Sequence, residues 1–151
     1  MRVIHSVSKL KMLEIMNRLD FFAEFSNEER SLLLEDKLRL YSCKQGRPIT
    51  RQGETDTALY LLLSGHARVE KDEQELGTVR SGEIIGEGSF VSRQPRSASV
   101  IAAVDCIVFR IDNPALRTLG ATIREKVKDA IIRGMAKRIV HLNGRLELTR
   151  V

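Results

Sequence analysis

The sequence contains no tryptophan, three prolines and only two cysteines in 151 residues. Cys43 and Cys106 are too few for a disulfide framework, so a packed core must hold the chain together, and its length suffices for one domain with such a core. A reducing, cytoplasmic setting is the simplest one for free thiols. No stretch approaches the roughly 18 consecutive apolar residues that a membrane span needs. The opening residues, MRVIHSVSKLKMLEI, mix charge into every turn and lack the apolar centre of a secretory signal. Histidine is scarce as well. His5, His66 and His141 are far apart, with no His-x-His pair, so a cupin-type metalloenzyme would lack its ligands. No nucleophile–base pairing is evident either, and no catalytic residue, metal or cofactor is expected.

Charge is present in both signs but unevenly placed. Residues 1–120 carry 17 Lys+Arg and 17 Asp+Glu, whereas residues 121–151 carry 8 basic and 3 acidic residues. The whole net charge of +5 therefore lies in the last segment. A basic tail can touch nucleic acid or an acidic membrane, but these cations are spread around a helix, which favours a solvated face. A nucleic-acid-associated regulator is the alternative this leaves open. Little chain follows the last helix, so no helix-turn-helix and no specific DNA binding are expected.

Three textures follow one another along the chain. Residues 1–37 read as helical: Met12, Ile15, Met16 and Leu19 recur at helical spacing over about 8–19. Ser26 and Glu29 then form an S-x-x-E capping box that starts a second helix at Asn27, carrying Leu32, Leu33 and Leu34 toward a core. Residues 38–112 are short apolar runs punctuated by glycine, in the manner of about eight antiparallel strands. In CIVFRI, alternation of Ile107, Phe109 and Ile111 predicts one inward face. Residues 113–151 return to helix. Asn113 and Pro114 suit a helix start, Gly120 an end, and a long helix follows over about 121–148. Its apolar stripe, Ile123, Val127, Ile131, Met135, Ile139, Leu142 and Leu146, is continuous, and Gly134 within it suggests a bend or a close approach.

The β pattern breaks for several residues in one place, IGEGSFVSRQPRSASV, over 85–100. Gly86 and Gly88 allow a tight turn and close approach of backbone to a ligand. Residues 87–91 can make one helical turn, whose free N–H groups attract an anion. Arg96 adds a forked donor suited to phosphate. Glu87 would repel phosphate at contact and fits a hydroxyl donor such as a ribose 2′-OH, and Ser97 can supply one more hydroxyl or N–H. Together these describe a nucleotide with one compact anionic group. By spacing alone, a glycine-rich turn with a surface Glu87–Arg96 pair explains the segment equally well.

The same residues carry a wider resemblance. Gly86, Glu87, Ser89, Pro95, Arg96, Ser97, Ala98, Ser99 and Val100 are in step with the phosphate-binding cassette of the cyclic nucleotide-binding domain family, which reads approximately F-G-E-[LI]-[AS]-L-x-x-x-x-P-R-[AST]-A-[ST]-V. Gly46, Ile49, Gly53, Leu59, Tyr60, Gly65 and Val69 match the family's strand and glycine pattern upstream, and the resemblance spans about 20–142. It implies a mainly β fold with flanking helices: an antiparallel β-roll or jelly-roll (a double-stranded β-helix) with an inserted cassette over 84–100 and a C-terminal lid helix. It implies that Glu87 takes the 2′-OH, that Arg96 takes the cyclic phosphate, and that Gly86, Gly88, Ser89, Ser97 and Ala98 complete the contacts. By alignment Arg138, His141 or Leu142 would cover the base, although His5, His66 and His141 also read as plain surface residues.

Ser97 stands where members that prefer cyclic GMP often carry Thr. It fits either nucleotide, with cyclic AMP the favoured ligand. Ile85 and Gly88 depart from the family's usual aromatic and aliphatic residues, and Gly88 is expected to loosen the cassette helix. The role implied is a standalone sensor that signals to a protein effector through movement of its C-terminal helix, with a homodimer through that helix as a further expectation.

Overall fold

The computed structural model describes residues 1–35 and 38–149, with side chains as far as Ile139 except that of Ala115. Two helices follow a two-residue strand at Arg2–Val3. α1 (Lys9–Asn17) starts where the Ser8 hydroxyl accepts from the Lys11 N–H at 3.2 Å. α2 (Asn27–Leu34) starts on the expected capping box, with the Ser26 hydroxyl and the Glu29 carboxylate each accepting the other's backbone N–H. A 3-10 turn at Asp20–Phe22 joins them. The buried Arg30 holds this joint together, donating to Asn17 Oδ1 at 2.9 Å and to the Phe22 carbonyl at 2.8 Å. Of the three leucines expected inside, Leu33 is fully buried but Leu32 points to solvent, because a helix packed on one side buries only one stripe.

Among the described residues, nine strands make two antiparallel sheets. The first has the order β1-β2-β9-β4-β7 and the second β3-β8-β5-β6. Their ranges are β1 Arg2–Val3, β2 Leu38–Cys43, β3 Pro48–Thr50, β4 Leu59–Ser64, β5 His66–Lys71, β6 Gln74–Arg80, β7 Ile84–Ile85, β8 Ser99–Ala102 and β9 Cys106–Ile111. The sheets close over an inner core that includes Tyr60, Leu62, Ile85, Val100 and Val108. The outer face of the first sheet carries a second core, made with the helices, that holds all five phenylalanines.

This double cover corrects the expectation of one inward face on β9. Phe109 and Ile111 face the helices, Cys106 and Val108 face the interior of the roll, and Ile107 is the exposed residue. β4 does the same with Leu59 and Leu61 on one side and Tyr60 and Leu62 on the other. A central strand covered on both faces reads as an unbroken apolar run rather than as an alternation. Cys43 and Cys106 are register partners across β2 and β9, both buried as free thiols.

Between β7 and β8 the chain makes the short helix α3 (Glu87–Ser92). After β9 come α4 (Asn113–Leu116), shorter than expected, and α5 (Ala121–Thr149). α5 packs with Ile123, Val127, Ala130 and Ile131 in the helical core. The continuous stripe is not observed. Met135 is 40% and Ile139 56% exposed, because beyond Gly134 the helix passes the edge of the core that covered its first turns. Leu142 and Leu146 have side chains outside the described residues. Gly134 is a close approach: a Cβ there would lie 3.1 Å from Ile84 Cδ1. Ion pairs Lys126–Glu29 and Lys137–Asp20, at 2.5 and 2.8 Å, tie α5 to the N-terminal helices. Among the described residues, no helix is long and apolar enough to cross a membrane.

Candidate functional site

The cassette is built around one glycine. Gly86 has φ +82°, in the left-handed region, and caps α3. A Cβ on it would meet Arg96 Nη1 at 2.2 Å and the Ala58 carbonyl oxygen at 3.2 Å. The absent side chain is the space the Arg96 guanidinium fills. Arg96 is 4% exposed. Its Nη1 donates to the Gly86 carbonyl at 3.0 Å and its Nη2 to the Ala58 carbonyl at 2.6 Å, with Asp56 Oδ2 3.5 Å away. Its Nε is buried with no hydrogen-bond partner among the described residues. Buried donors are seldom left so, and this one lies on the guanidinium's remaining edge.

Behind Arg96 stands a network that sequence reading missed. Asp56 accepts from the Ala58 N–H at 3.0 Å and from the Tyr60 hydroxyl at 3.1 Å, and its Oδ1 lies 3.4 Å from Arg110 Nη2. Arg110 also donates to the Tyr60 hydroxyl at 2.7 Å and to Asp112 at 2.9 Å. Burial raises the Asp56 carboxyl pKa, but the Ala58 N–H and the Arg110 and Arg96 guanidinia outweigh it and hold it below the usual carboxylate range. Burial pushes the Tyr60 phenol well up. Tyr60 was read only as a strand residue. The sole hint of the network was Asp56 lying two residues before Ala58, a spacing common to many turns.

The folded value of Asp56 is depressed, so its contribution to stability is complete above the ordinary carboxylate value of about 3.9 and is lost as pH falls through the lower folded value. Thermal melts below about pH 4 should therefore fall more steeply for the parent than for Asp56→Asn, and the two curves should converge at the acid end.

Glu87 does not pair with Arg96, so the surface Glu87–Arg96 pair is not formed. Its partner is Arg138 of α5, whose Nη1 donates to Glu87 Oε1 at 2.5 Å. Arg138 also donates to the Ile84 carbonyl at 2.7 Å and places Nε 4.0 Å from Glu83. The structure thus brings Gly86, Glu87, Arg96 and Arg138 together. Gly88 is exposed, and a Cβ there would meet nothing within 4 Å, so it borders open space. α3 forms despite it. Ser89 is 6% exposed and lies inside, Ser97 is at the surface and Ala98 is half-buried. His141 and Leu142 have side chains outside the described residues. His5 and His66 are exposed. Among the described residues, no three His, Cys, Asp or Glu side chains come together as a metal-holding group.

Residues 40–122 match the family model described as the cyclic nucleotide-binding domain. The chain belongs to this family. Among relatives of this domain, the cGMP-dependent protein kinase of Toxoplasma gondii is 31% identical over 100 residues, 66% of this chain and 10% of that protein. The Cyclic AMP receptor protein of Thermus thermophilus is 40% identical over 86 residues, 52% of this chain and 39% of that one. This domain thus spans well under half the length of either relative. A cyclic nucleotide-binding domain from Methylobacillus flagellatus KT superposes with a TM-score of 0.77 at 27% identity, covering 93% of this chain and 82% of that one. The antiparallel β-roll with flanking helices, expected from the resemblance, is the fold observed.

Proposed function

We propose that this domain binds a cyclic nucleotide, cyclic AMP or cyclic GMP, and passes the event to a protein partner through α5. The observation that carries the reading is the buried Arg96 Nε without an acceptor among the described residues, beside a glycine whose missing side chain makes room for the guanidinium. A cyclic diester presents oxygen acceptors and a single negative charge. It would satisfy Nε while Nη1 and Nη2 stay on their carbonyls, a charge-assisted bond of about 1.5–3 kcal/mol. Glu87 lies nine residues before Arg96, next to Gly86, and suits the ribose hydroxyl. Ser97 and Ala98 follow Arg96 and would line the diester, and Gly88 and Ser89 the turn above it. The proposed division is the helices of 1–37, whose first residues also lend β1 to the first sheet, the β-roll over 38–112 and helices over 113–151. The relatives' names include both cyclic GMP and cyclic AMP, which supports either base.

Titration calorimetry with cyclic AMP, cyclic GMP and linear AMP tests the reading. Saturable heat from a cyclic form well above that of linear AMP is expected, with weaker binding of the 2′-deoxy analogue. Equal binding of linear AMP would overturn it.

Signalling follows from the Glu87–Arg138 pair. Glu87 is already bonded to α5, so a ribose hydroxyl must share or displace Arg138. A ligand shifts α5 only by its differential affinity for the two arrangements. Arg138→Gln is expected to tighten cyclic nucleotide binding several-fold while increasing hydrogen exchange in α5 beyond Gly134 in the free protein. Weaker binding would place Arg138 on the ligand instead, as a cover for the base. On the outer side of the same helix, Ile132, Met135 and Ile139 are exposed and step by three and four, the spacing of a two-helix seam. A second copy of this chain is the partner that spacing suits.

A further inference from the structure

The chain's only two cysteines face each other. Cys43 ends β2, Cys106 begins β9, and the two are register partners. Partners in an antiparallel pair project to the same face, here the interior of the roll, where both side chains are buried. Such partners have Cα atoms about 4.5–5.5 Å apart and Cβ atoms at a similar distance. A disulfide accepts Cα separations of about 4.4–6.8 Å and Cβ separations of about 3.5–4.5 Å. The backbone therefore already stands in the bonding range, and closing the bond needs the side chains to approach by about 1 Å. Both cysteines sit where strands end, so this shift moves a turn and a loop rather than the middle of the sheet. The Gln45 N–H, donating to Asp105 Oδ1 at 2.9 Å, holds that turn and loop together.

The surroundings of the two sulfurs tolerate oxidation. The Cys43 thiol donates to the Arg47 carbonyl at 3.5 Å, and the Cys106 thiol has the Val104 and His66 carbonyls at 3.2 and 3.4 Å. The Arg47 and His66 carbonyls also accept the N–H groups of Ala102 and Ala103. Loss of both S–H donors thus leaves these two acceptors satisfied. Cys106 Sγ rests against the bare side of Gly65, where a Cβ would lie 2.9 Å from it. Burial pushes both thiol pKa values up, and nearby positive charge, Arg47 included, partly offsets this at Cys43. Neither thiol is reactive while the roll is closed. Each lies one residue beneath the surface, however, since Lys44, Asp105 and Ile107 are exposed. Fraying at the strand ends brings the thiols to solvent without opening the core.

We propose that Cys43 and Cys106 are a modification site, which closes a reversible cross-strand disulfide by exchange with a small-molecule disulfide such as oxidised glutathione. One cysteine thiolate attacks the small disulfide, forming a mixed disulfide and releasing one small thiol. The other thiolate attacks the protein sulfur of that mixed disulfide, forming the Cys43–Cys106 bond and releasing the second small thiol. The protein gives up two electrons and two protons, and the small disulfide takes them up. A bond that draws two strands together is more readily reduced than a relaxed one, so it reopens when the surroundings become reducing. The pair lies about 13 Å along β9 from Arg110, at the end of the sheet away from the cassette, so the inference does not rest on the cyclic nucleotide reading.

Mass spectrometry of the full chain, held folded with oxidised glutathione and then denatured and alkylated, provides the test. A monomer lighter by two hydrogens and carrying no alkylated thiol is expected. With only two cysteines in the chain, that mass identifies the bond without any variant. Excess reduced glutathione should restore both thiols. The oxidised chain should melt a few degrees above the reduced one, because the bond closes a long loop of the unfolded chain. Cys43→Ala and Cys106→Ala should each remain reduced or stop at a single glutathione adduct, with melting midpoints establishing that they are folded. The proposal is overturned if the parent keeps two alkylatable thiols, or if it carries only glutathione adducts or intermolecular disulfides. It is equally overturned if the bond forms only in urea, if excess reduced glutathione leaves it closed, or if the oxidised chain melts below the reduced one, which would show that the bond breaks the β2–β9 pairing. Failure of cyclic AMP and cyclic GMP to bind in a parallel titration would count against the cassette reading alone.

Discussion

Arg96→Ala should weaken cyclic nucleotide binding by about 10- to 150-fold, the range that corresponds to losing one charge-assisted bond of about 1.5–3 kcal/mol. The same change should destabilise the free protein. The guanidinium satisfies the Gly86 and Ala58 carbonyls and faces Asp56. Removing it leaves these acceptors inside the fold with one partner fewer, and each buried group left unsatisfied costs about 1–3 kcal/mol. Arg96→Lys separates the two effects. It keeps the charge but not the fork, so it should recover part of the affinity and less of the stability. Calorimetry and chemical denaturation on the three proteins give both numbers. Parent-like affinity in Arg96→Ala would remove the residue from the site.

Gly86→Ala should be nearly as damaging, for a steric reason. The backbone at φ +82° disfavours any L side chain by about 1–2 kcal/mol. The larger loss comes from the new Cβ, which would fall 2.2 Å from Arg96 Nη1 and 2.9 Å from its Cζ. The guanidinium must leave its place, and with it go its carbonyl contacts and the buried Nε proposed to meet the diester. Ligand binding should fall at least tenfold. A double-mutant cycle isolates the cause. In an Arg96→Ala background the collision with the guanidinium no longer exists, so Gly86→Ala should cost only its dihedral penalty and the 3.2 Å approach to the Ala58 carbonyl. An equal cost in both backgrounds would show that Gly86 matters for the turn and not for the arginine.

Much of this arrangement was legible in the sequence, and the exceptions have physical causes. The glycine punctuation and the Ser26–Glu29 capping box are local signals, set by backbone dihedrals and a three-residue reach, and the structure follows them. Glu87 and Arg96 could be singled out because cassette spacing is local as well. Asp56, Tyr60 and Arg110 could not. They meet Arg96 only after the β3–β4 connection, β4 and β9 are brought together by the fold. The reading of Ile107 as an inward residue failed because the two-residue period records which residues share a face and not how far the covering core extends: Phe109 and Ile111 are buried, but Ile107, near the start of β9, is exposed. The stripe on α5 was read as continuous because helical periodicity records which residues share a face, not where the neighbouring core ends. Arg138 was aligned as a cover for the base. Its bond to Glu87 was invisible, since either role asks for the same residue on the same turn.

One contact on the far side of the cassette bears on how a local event could travel. Asn113 Nδ2 donates to the Phe90 carbonyl at 2.7 Å, and the Phe90 ring is set among the helical core residues. α3 is thereby bolted to the first residue of α4, and α4 is separated from α5 only by residues 117–120. Were α3 to tilt, the Asn113 bond would pass the motion to the short joint ending at Gly120, and α5, a helix of 29 residues that begins there, would carry it over a longer arc once its ion pairs to Glu29, Asp20 and Glu87 gave way. The leverage is a matter of lengths, and cutting the Asn113 bolt should leave the grip intact while disengaging the lever.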